Sequence, residues 1–355
     1  MIAGALASGK LPPRLLDRLV RWRGAPDRRV RVGPGCGIDA AVVAVGRHRV
    51  VLKSDPVTFT TDRIGWHVVQ VNANDVAVMG GRPAWFQPTI LVPPGTRASV
   101  VMRIAREIDH ACRALGIAVT GGHTEVTDAV TRPVVAGDMQ GLLVTAGVIT
   151  AAGARPGDRL LLSKAAGIEG TAILAHDRLR ELAGAVSATL LRAARGIRRS
   201  PGISVVEDAV IAARHGASAM HDPTEGGVRA GLHEIAFASR VRIAVDLDRI
   251  PVLRSTAEIC RHYGIDPLGL IGSGALLATV PARRASGLLR AWASRGIAGR
   301  EIGSVEPGRG VRATRLGRRA PFPWIARDEI IAALARAARP RDDDRYHFVA
   351  RTPAR

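Results

Sequence analysis

Lysine is almost missing from this 355-residue chain: Lys10, Lys53 and Lys164 are its only lysines, and the other 48 of its 51 basic residues are arginine. The formal net charge of +20 would suit phosphate binding along a nucleic acid. The arginines, however, are spread over the whole length, and aromatic residues make up only 3%. No basic tract interleaved with aromatics exists, which excludes a dedicated nucleic-acid reader and leaves salt-sensitive adhesion to polyanions. Cysteine is equally scarce. Cys36, Cys112 and Cys260 are too far apart for a disulfide framework or a zinc pattern, as expected in a reducing compartment. No apolar run reaches the roughly 18–20 residues that cross a bilayer. Met1 to Ser8 lacks the charged start of a secretion signal. The expectation is a cytoplasmic protein with no membrane partner, and no internal repeat suggests a solenoid.

What the chain does have is length for two domains and 47% hydrophobic residues to fill them. Its densest stretch is Val51 to Gly81. Val50, Val51 and Leu52 read as a buried strand that Pro56 ends, placing Asp55 at the strand mouth. From Gly65 onward Val68, Val69, Val71, Val76 and Met79 suit a helix, interrupted by Asn74 and Asp75, polar groups that a core would reject. Asp55 and Asp75 would then face one place. Paired carboxylates lacking a nearby lysine repel each other and make sense chiefly with a hard cation between them, and an oxygen-only set suits Mg²⁺ beside phosphate. The alternative is a helix cap plus a surface aspartate. Before this stretch, Gly33, Gly35 and Gly37 lead to Asp39 and an apolar strand; such glycines let backbone N–H groups approach a phosphate, although the spacing is neither a Walker loop nor a dinucleotide fingerprint.

Elsewhere the chain alternates. A short amphipathic helix within residues 8–22 is expected to pack on the first domain. Val100 to Leu115 reads as a helix with Val101, Ile104, Ala105, Ile108, Cys112 and Leu115 inward. A strand at 117–120 runs into Gly121-Gly122-His123-Thr124-Glu125, and a last strand region spans 134–149. The Gly/Pro-rich turn 151–158 marks a boundary. Beyond it, 171–194 is largely helical, and Ser204 to Glu207 has the form of a capping box for a helix to about Arg214. His221-Asp222-Pro223-Thr224-Glu225-Gly226-Gly227 is a turn after a short strand. Then come strand 241–247, helix 254–263, strand 274–280, helix 283–294 and strand 297–305. Residues 306–326 read as Gly/Pro/Arg-rich, 328–338 as a short helix and 339–355 as a loose tail. The expected divisions are 1–30 (arm and helix), 31–150, 151–306 and 307–355.

The succession GKLPPRLL, VGPGCGIDAAVV, KSDPVTFTTD, IGWHVVQVNANDVAVMGG, TGGHTEV, HDPTEGG and IGSGALLATV resembles the aminoimidazole-ribonucleotide synthetase superfamily over roughly residues 8–305. Its HypE-like, synthetase-related branch is the nearest likeness. The resemblance implies a PurM-like two-domain α/β (α+β) fold, with an N-terminal mixed sheet forming a homodimer and the ATP site, and a C-terminal α/β sandwich. It implies ATP and Mg²⁺ as cofactors and phosphoryl transfer to an amide or carbonyl-type oxygen of a small-molecule substrate. Carried onto this chain, Asp39, Asp55, Asp75, His123 and Glu125 would hold the metal. Asp55, Asp75, Lys53 and His67 would do the chemistry. Gly33, Gly35, Gly37, Asn74, Gly121, Gly122, Asp222, Thr224, Gly226 and Gly227 would hold the nucleotide. Four positions depart from the pattern: Ile38 for an acid, His67 for a lysine, His123 for an acid and Glu225 for an arginine. Lys53 also reads as a solvated strand-edge charge, and His123 as a structural histidine. An inactive nucleotide-binding scaffold is therefore the second reading. Cys36, inside the glycine loop, is expected not to be a nucleophile. The sequence given ends in Arg355, without the terminal cysteine that carries a thiocarboxamide in that branch, so modification by that route is not expected.

Overall fold

The structure is a computed structural model and describes residues 11, 13–35, 37–58, 60, 62–325 and 327–335. From the N-terminus run α1 (Pro13–Leu19), β1 (Val30–Val32), β2 (Ala41–Val45), β3 (His48–Val57), α2 (Ile64–Val78), β4 (Gly81–Val92), α3 (Ala98–Leu115), β5 (Ala118–Val119), β6 (His123–Val126) and β7 (Val134–Leu143). After these come β8 (Asp158–Ser163), α4 (Ile168–Asp177), α5 (Leu179–Ala183), α6 (Ala188–Gly196), α7 (Val206–Arg214) and β9 (Ala219–His221). The chain continues with α8 (Gly227–Ser239), β10 (Arg242–Asp246), α9 (Arg254–Tyr263), β11 (Leu277–Pro281), α10 (Ala282–Ala293), β12 (Gly299–Glu306), β13 (Gly310–Arg315), β14 (Arg318–Ala320) and α11 (Glu329–Ala335). Two compact units form. One comprises residues 22–150 and 204–214; the other comprises the remaining described residues.

The first unit is a mixed sheet of order β1-β2-β3-β7-β4, with β5 and β6 both parallel to β4 at its far edge. Helices α2 and α3 cover one face. Val51, Val68, Val69, Val76, Phe86, Ile104, Ile108 and Met139 fill the space between, and each such side chain contributes about 1.5–3 kcal/mol on leaving water. On α3 the inward stripe is Ile104, Ile108, Ala111 and Cys112, whereas Ala105, expected inward, is exposed. The opposite sheet face keeps Leu52, Leu91 and Leu142 half-buried and Trp85 exposed. Two expectations need correction. Strand β3 does not stop before Pro56 but runs on to Val57, pairing Pro56 with Ala136 of β7. Strand β2 pairs with β3 only as far as Leu52, so beyond it one flank of β3 is open and a proline breaks no ladder there. Helix α7 lies in the second half of the sequence but belongs to this unit, with Val206 packed against its core.

The second unit holds a seven-stranded sheet of order β14-β13-β10-β12-β8-β11-β9. Buried Val228, Leu232, Ile235 and Ala236 of α8 share a core with Leu160, Leu162, Ile243, Val245 and Leu277. Helix α1, expected on the first domain, groups with this unit. The expected boundary at 306 also moves, because β13 pairs in parallel with β10 and β14 closes a hairpin on it. The helical stretch expected over 171–194 is three helices, broken at Arg178 and 184–187. The tail 339–355 and Cys36 lie outside the described residues.

Candidate functional site

In the first unit β3 and α2 bring the expected charges together. Residues 51, 53, 55 and 57 of β3 share the face toward α2, because side chains alternate along a strand and Val51 and Val57 are buried there. Lys53 Nζ lies 2.8 Å from Asp75 Oδ2 and 3.5 Å from Asp55 Oδ2. Asp39, in the turn before β2, is close enough to act on both Lys53 and Asp75. Two carboxylates thus hold one ammonium, and a third acts on it from nearby. Burial and the like charges of Asp39 and Asp55 push the Asp75 carboxyl well above the usual carboxylate range, although Lys53 pulls it down. Burial works against the Lys53 ammonium, but the same three carboxylates outweigh it and hold the group protonated. Asp75 is inside and Asp55 half open, so the cluster has a closed end and a reachable end.

Asn72 is a member of this site that the sequence reading missed. Its Nδ2 donates to the backbone carbonyls of Asp55 (3.1 Å) and Val68 (2.8 Å), tying the helix that carries Asp75 to the strand that carries Asp55. A Cβ on Gly137 would fall 2.7 Å from that nitrogen, so the glycine makes room for the tie. An asparagine three residues before Asp75 in a helix otherwise rich in valine was the available signal, since a buried amide needs partners.

Other expected residues sit elsewhere. Asn74 is fully buried and its Oδ1 accepts the Val205 N–H at 2.8 Å, which docks the start of α7. His67 is buried beside Trp66, two helical turns or about 12 Å along α2 from Asp75. Register separates His123 and Glu125 from the cluster. Asp55 pairs with Gly137, Gly137 with Pro88, and His123 with Thr89, so Gly122 stands three strands from Asp55, about 14 Å away. His123 and Glu125 also align with Thr89 and Leu91, the outward positions of β4, so they point to the opposite face of the sheet. The two are exposed, 3.4 Å apart, and cannot share an ion with Asp55 of the same chain. Gly33, Gly35 and Gly37 form the loop before Asp39, while Gly122 allows a close approach: a Cβ there would lie 2.4 Å from the Pro88 carbonyl.

The carboxylates fit a hard cation in donor chemistry. Among the described residues no group of three or more His, Cys, Asp or Glu is close enough to hold a metal unaided. That matches the habit of Mg²⁺, which keeps waters and takes several ligands from phosphate.

In the second unit the 222–227 turn leads into α8. Its glycines meet protein rather than open space: Gly227 has φ +57°, and a Cβ on it would sit 2.4 Å from the Leu270 carbonyl. The Gly226 N–H donates to Asp328 Oδ2 at 2.6 Å and the Gly227 N–H to the Thr224 carbonyl at 3.0 Å. Asp222 is buried, Thr224 and Glu225 half-buried. The preceding His221 is buried with its Nε2 2.6 Å from Glu234 Oε2.

Comparison with known proteins matches residues 37–143 to the AIR synthase related protein N-terminal domain and 155–315 to the corresponding C-terminal domain. The carbamoyl dehydratase HypE of Azotobacter vinelandii is 31% identical over 303 residues, 81% of each chain. A crystal structure of HypE in complex with ATP shares the fold at TM-score 0.66 and 24% identity, covering 81% of this chain and 88% of that one. AaThiL complexed with AMPPCP and TMP superposes at TM-score 0.67 and 23% identity, covering 88% and 94%.

Proposed function

Because the chain belongs to the AIR synthase related protein family, we propose that it is an ATP-dependent enzyme that transfers the terminal phosphate of ATP to an amide or carbonyl-type oxygen of a small substrate. The observation that carries this reading is the pair of Asp55 and Asp75 held on either side of Lys53, with Asp39 close enough to act on both Lys53 and Asp75. When bound with the nucleotide, Mg²⁺ would add positive charge beside these carboxylates and polarise the transferring phosphoryl group. Asp55 and Asp39 are the reachable ligands, and Asp75 anchors them from inside. Lys53 keeps Asp75 oriented and lends a cation at the edge of the phosphates. Asn72 fixes the Asp55 backbone, which keeps the spacing of strand and helix constant. The loop of Gly33, Gly35 and Gly37 offers backbone N–H groups to phosphate oxygens. Little covalent chemistry is asked of the protein; positioning and charge neutralisation suffice. The ATP and AMPPCP bound by proteins of the same fold support the nucleotide, and the carbamoyl dehydratase relative supports an amide-type acceptor.

The same reading places the protein in the cytoplasm as a homodimer. Among the described residues no helix is long and apolar enough to cross a membrane. The sheet face carrying Trp85, with Leu52, Leu91 and Leu142 part-covered, is an apolar surface that a second copy would bury. Light scattering at micromolar concentration should give twice the chain mass, and a monomer would end the dimer reading.

Ile38 packs against the first unit's core where the family pattern has an acid, which keeps a binding-only scaffold as the second reading. Mg²⁺-dependent ATP hydrolysis by the unaltered protein and by Asp75→Asn separates the two. Activity lowered at least about a hundredfold in the variant, with the fold retained, supports the enzyme. Nucleotide binding without turnover in the unaltered protein supports the scaffold.

A further inference from the structure

The chain continues past the matched domains as a strap across the second unit. Phe322 is buried, its ring stacked on His233 with centroids 5.9 Å apart and the Arg229 guanidinium 4.5 Å from its centre. His233 Nε2 lies 2.9 Å from the Phe322 carbonyl. Further on, the Glu329 N–H donates to the Gly269 carbonyl at 3.2 Å, and Arg178 donates to the Leu334 carbonyl at 2.5 Å. Between these contacts lies Asp328, only 6% exposed. One of its oxygens accepts from Gly226 N–H at 2.6 Å. The other accepts from Ile271 N–H at 3.2 Å and Ile330 N–H at 2.7 Å. One carboxylate therefore joins three backbone segments: the turn before α8, the loop before β11 and the start of α11.

The N-terminus of a helix carries unsatisfied N–H groups and partial positive charge, and it attracts anions. At α8 three of these groups are met from within. Gly226 gives its N–H to Asp328, Gly227 to Thr224 and Arg229 to the Leu268 carbonyl at 2.8 Å. We propose that Asp328 is a positioning residue, the chain's own substitute for an external anion at α8. Through it the C-terminal strap holds the 222–227 turn against the 268–274 loop and closes that helix end to phosphate. This goes beyond the phosphoryl-transfer reading but rests on it for one consequence: a substrate group meeting Thr224 and Glu225 is neutral or cationic, such as an amide, rather than anionic. Burial pushes the Asp328 carboxyl up to about 6, with Glu225 adding to the rise and the three amides opposing it. At neutral pH the anion prevails.

The test is hydrogen exchange on the full-length protein, with Asp328→Ala and Asp328→Asn beside the parent. In Asp328→Ala the amides of 224–231 and of 269–273 should exchange about tenfold faster together, while those of 64–78 keep their rate. Sodium formate, unlike sodium chloride, should slow them again by refilling the vacated place. Mg·ATP hydrolysis should lose kcat with KM for ATP unchanged within about threefold, because the nucleotide carboxylates lie in the other unit. If the alanine variant does not fold, Asp328→Asn, which keeps one acceptor oxygen and the shape, should show the same paired acceleration at about threefold. Faster exchange confined to 327–335 would reduce Asp328 to a cap of α11 and overturn the proposal. Exchange requires no turnover, so a parent protein without ATPase activity would sink the proposed function while leaving this inference to its own measurement.

Discussion

The two units contain similar ingredients, acidic side chains beside glycine-rich turns, and use them in opposite ways. In the first, Asp55 and Asp75 hold Lys53 between them and Asp39 adds a like charge that raises Asp75, so acidic groups crowd into one partly open place. In the second, the carboxylate of Asp328 is matched against three N–H donors, and Gly227 of the turn presses against the Leu268 and Leu270 carbonyls of a neighbouring loop. Burying an unbalanced charge costs free energy unless something offsets it. A site that gathers such charge is therefore set for a ligand, and one that has satisfied itself is set for shape. Motifs that look equally functional in a sequence divide on this ground.

The largest effect should come from removing the balance in the first unit. Lys53→Met leaves Asp75 buried beside two other carboxylates with no cation, which should lower stability by about 4 kcal/mol, the scale of breaking a buried ion pair. If the site is built for a hard cation, millimolar Mg²⁺ should return part of that loss in the variant. Urea denaturation with and without Mg²⁺ measures both; a variant as stable as its parent, or one indifferent to Mg²⁺, contradicts the picture. Next is Gly227→Ala, where a left-handed backbone and a Cβ 2.4 Å from a carbonyl add up to about 3 kcal/mol. The comparison predicts that this loss is structural and unrelieved by nucleotide. Relief by ATP would show that the turn is a phosphate cradle after all. A smaller cost, about 2 kcal/mol, is expected for Asn72→Leu, which removes the amide that ties α2 to the Asp55 carbonyl. Its specific mark should be weaker affinity for Mg·ATP, read by titration calorimetry, beyond what Asn74→Leu produces.

Much of this was legible in the residues, and the failures have identifiable causes. Helix α9 falls on 254–263 as its spacing predicts, and the approach of Asp55 and Asp75 follows from a strand and the next helix being packed neighbours, whereas Lys53, read also as a solvated strand-edge charge, proves to be held between them. The strands β13 and β14 were hidden by arginine. Val311 and Ala313 do alternate with Arg312, but a window of Gly, Pro and Arg carries the composition of a loop. The separation of His123 from Asp55 was out of reach because it depends on sheet order, which inserts β7 and β4 between them, and on strand parity, which turns the side chain to the other face. Allegiance of α7 to the first unit is likewise non-local, fixed by the hydrogen bond from Val205 to Asn74. Beyond capping the short helix through Ile330, Asp328 announced nothing in the sequence, since its other two partners are backbone amides around a hundred and around sixty residues earlier.

The smallest effect concerns the strap, and its sign can be worked out. His233 lies against Phe322 with its Nε2 near the Phe322 carbonyl, Arg229 on one side and Glu234 next to it in the chain. Burial, the largest cause, and the Arg229 charge hold its pKa below the ordinary value of about 6.5; the Phe322 carbonyl and Glu234 pull the other way and lose. For a base lowered on folding, the unfolded chain takes up its proton first as the solution is acidified. Stability is then full above about pH 6.5 and falls as pH drops from there toward the folded value. The loss should disappear in His233→Gln, which keeps a donor for the carbonyl but does not titrate. Thermal melts at pH 7.5 and 5.5 of parent and variant give the comparison. An equal acid-induced drop in both would place the sensitivity elsewhere, and a drop present only in the parent would show that the closed packing of the second unit depends on a neutral ring at this position.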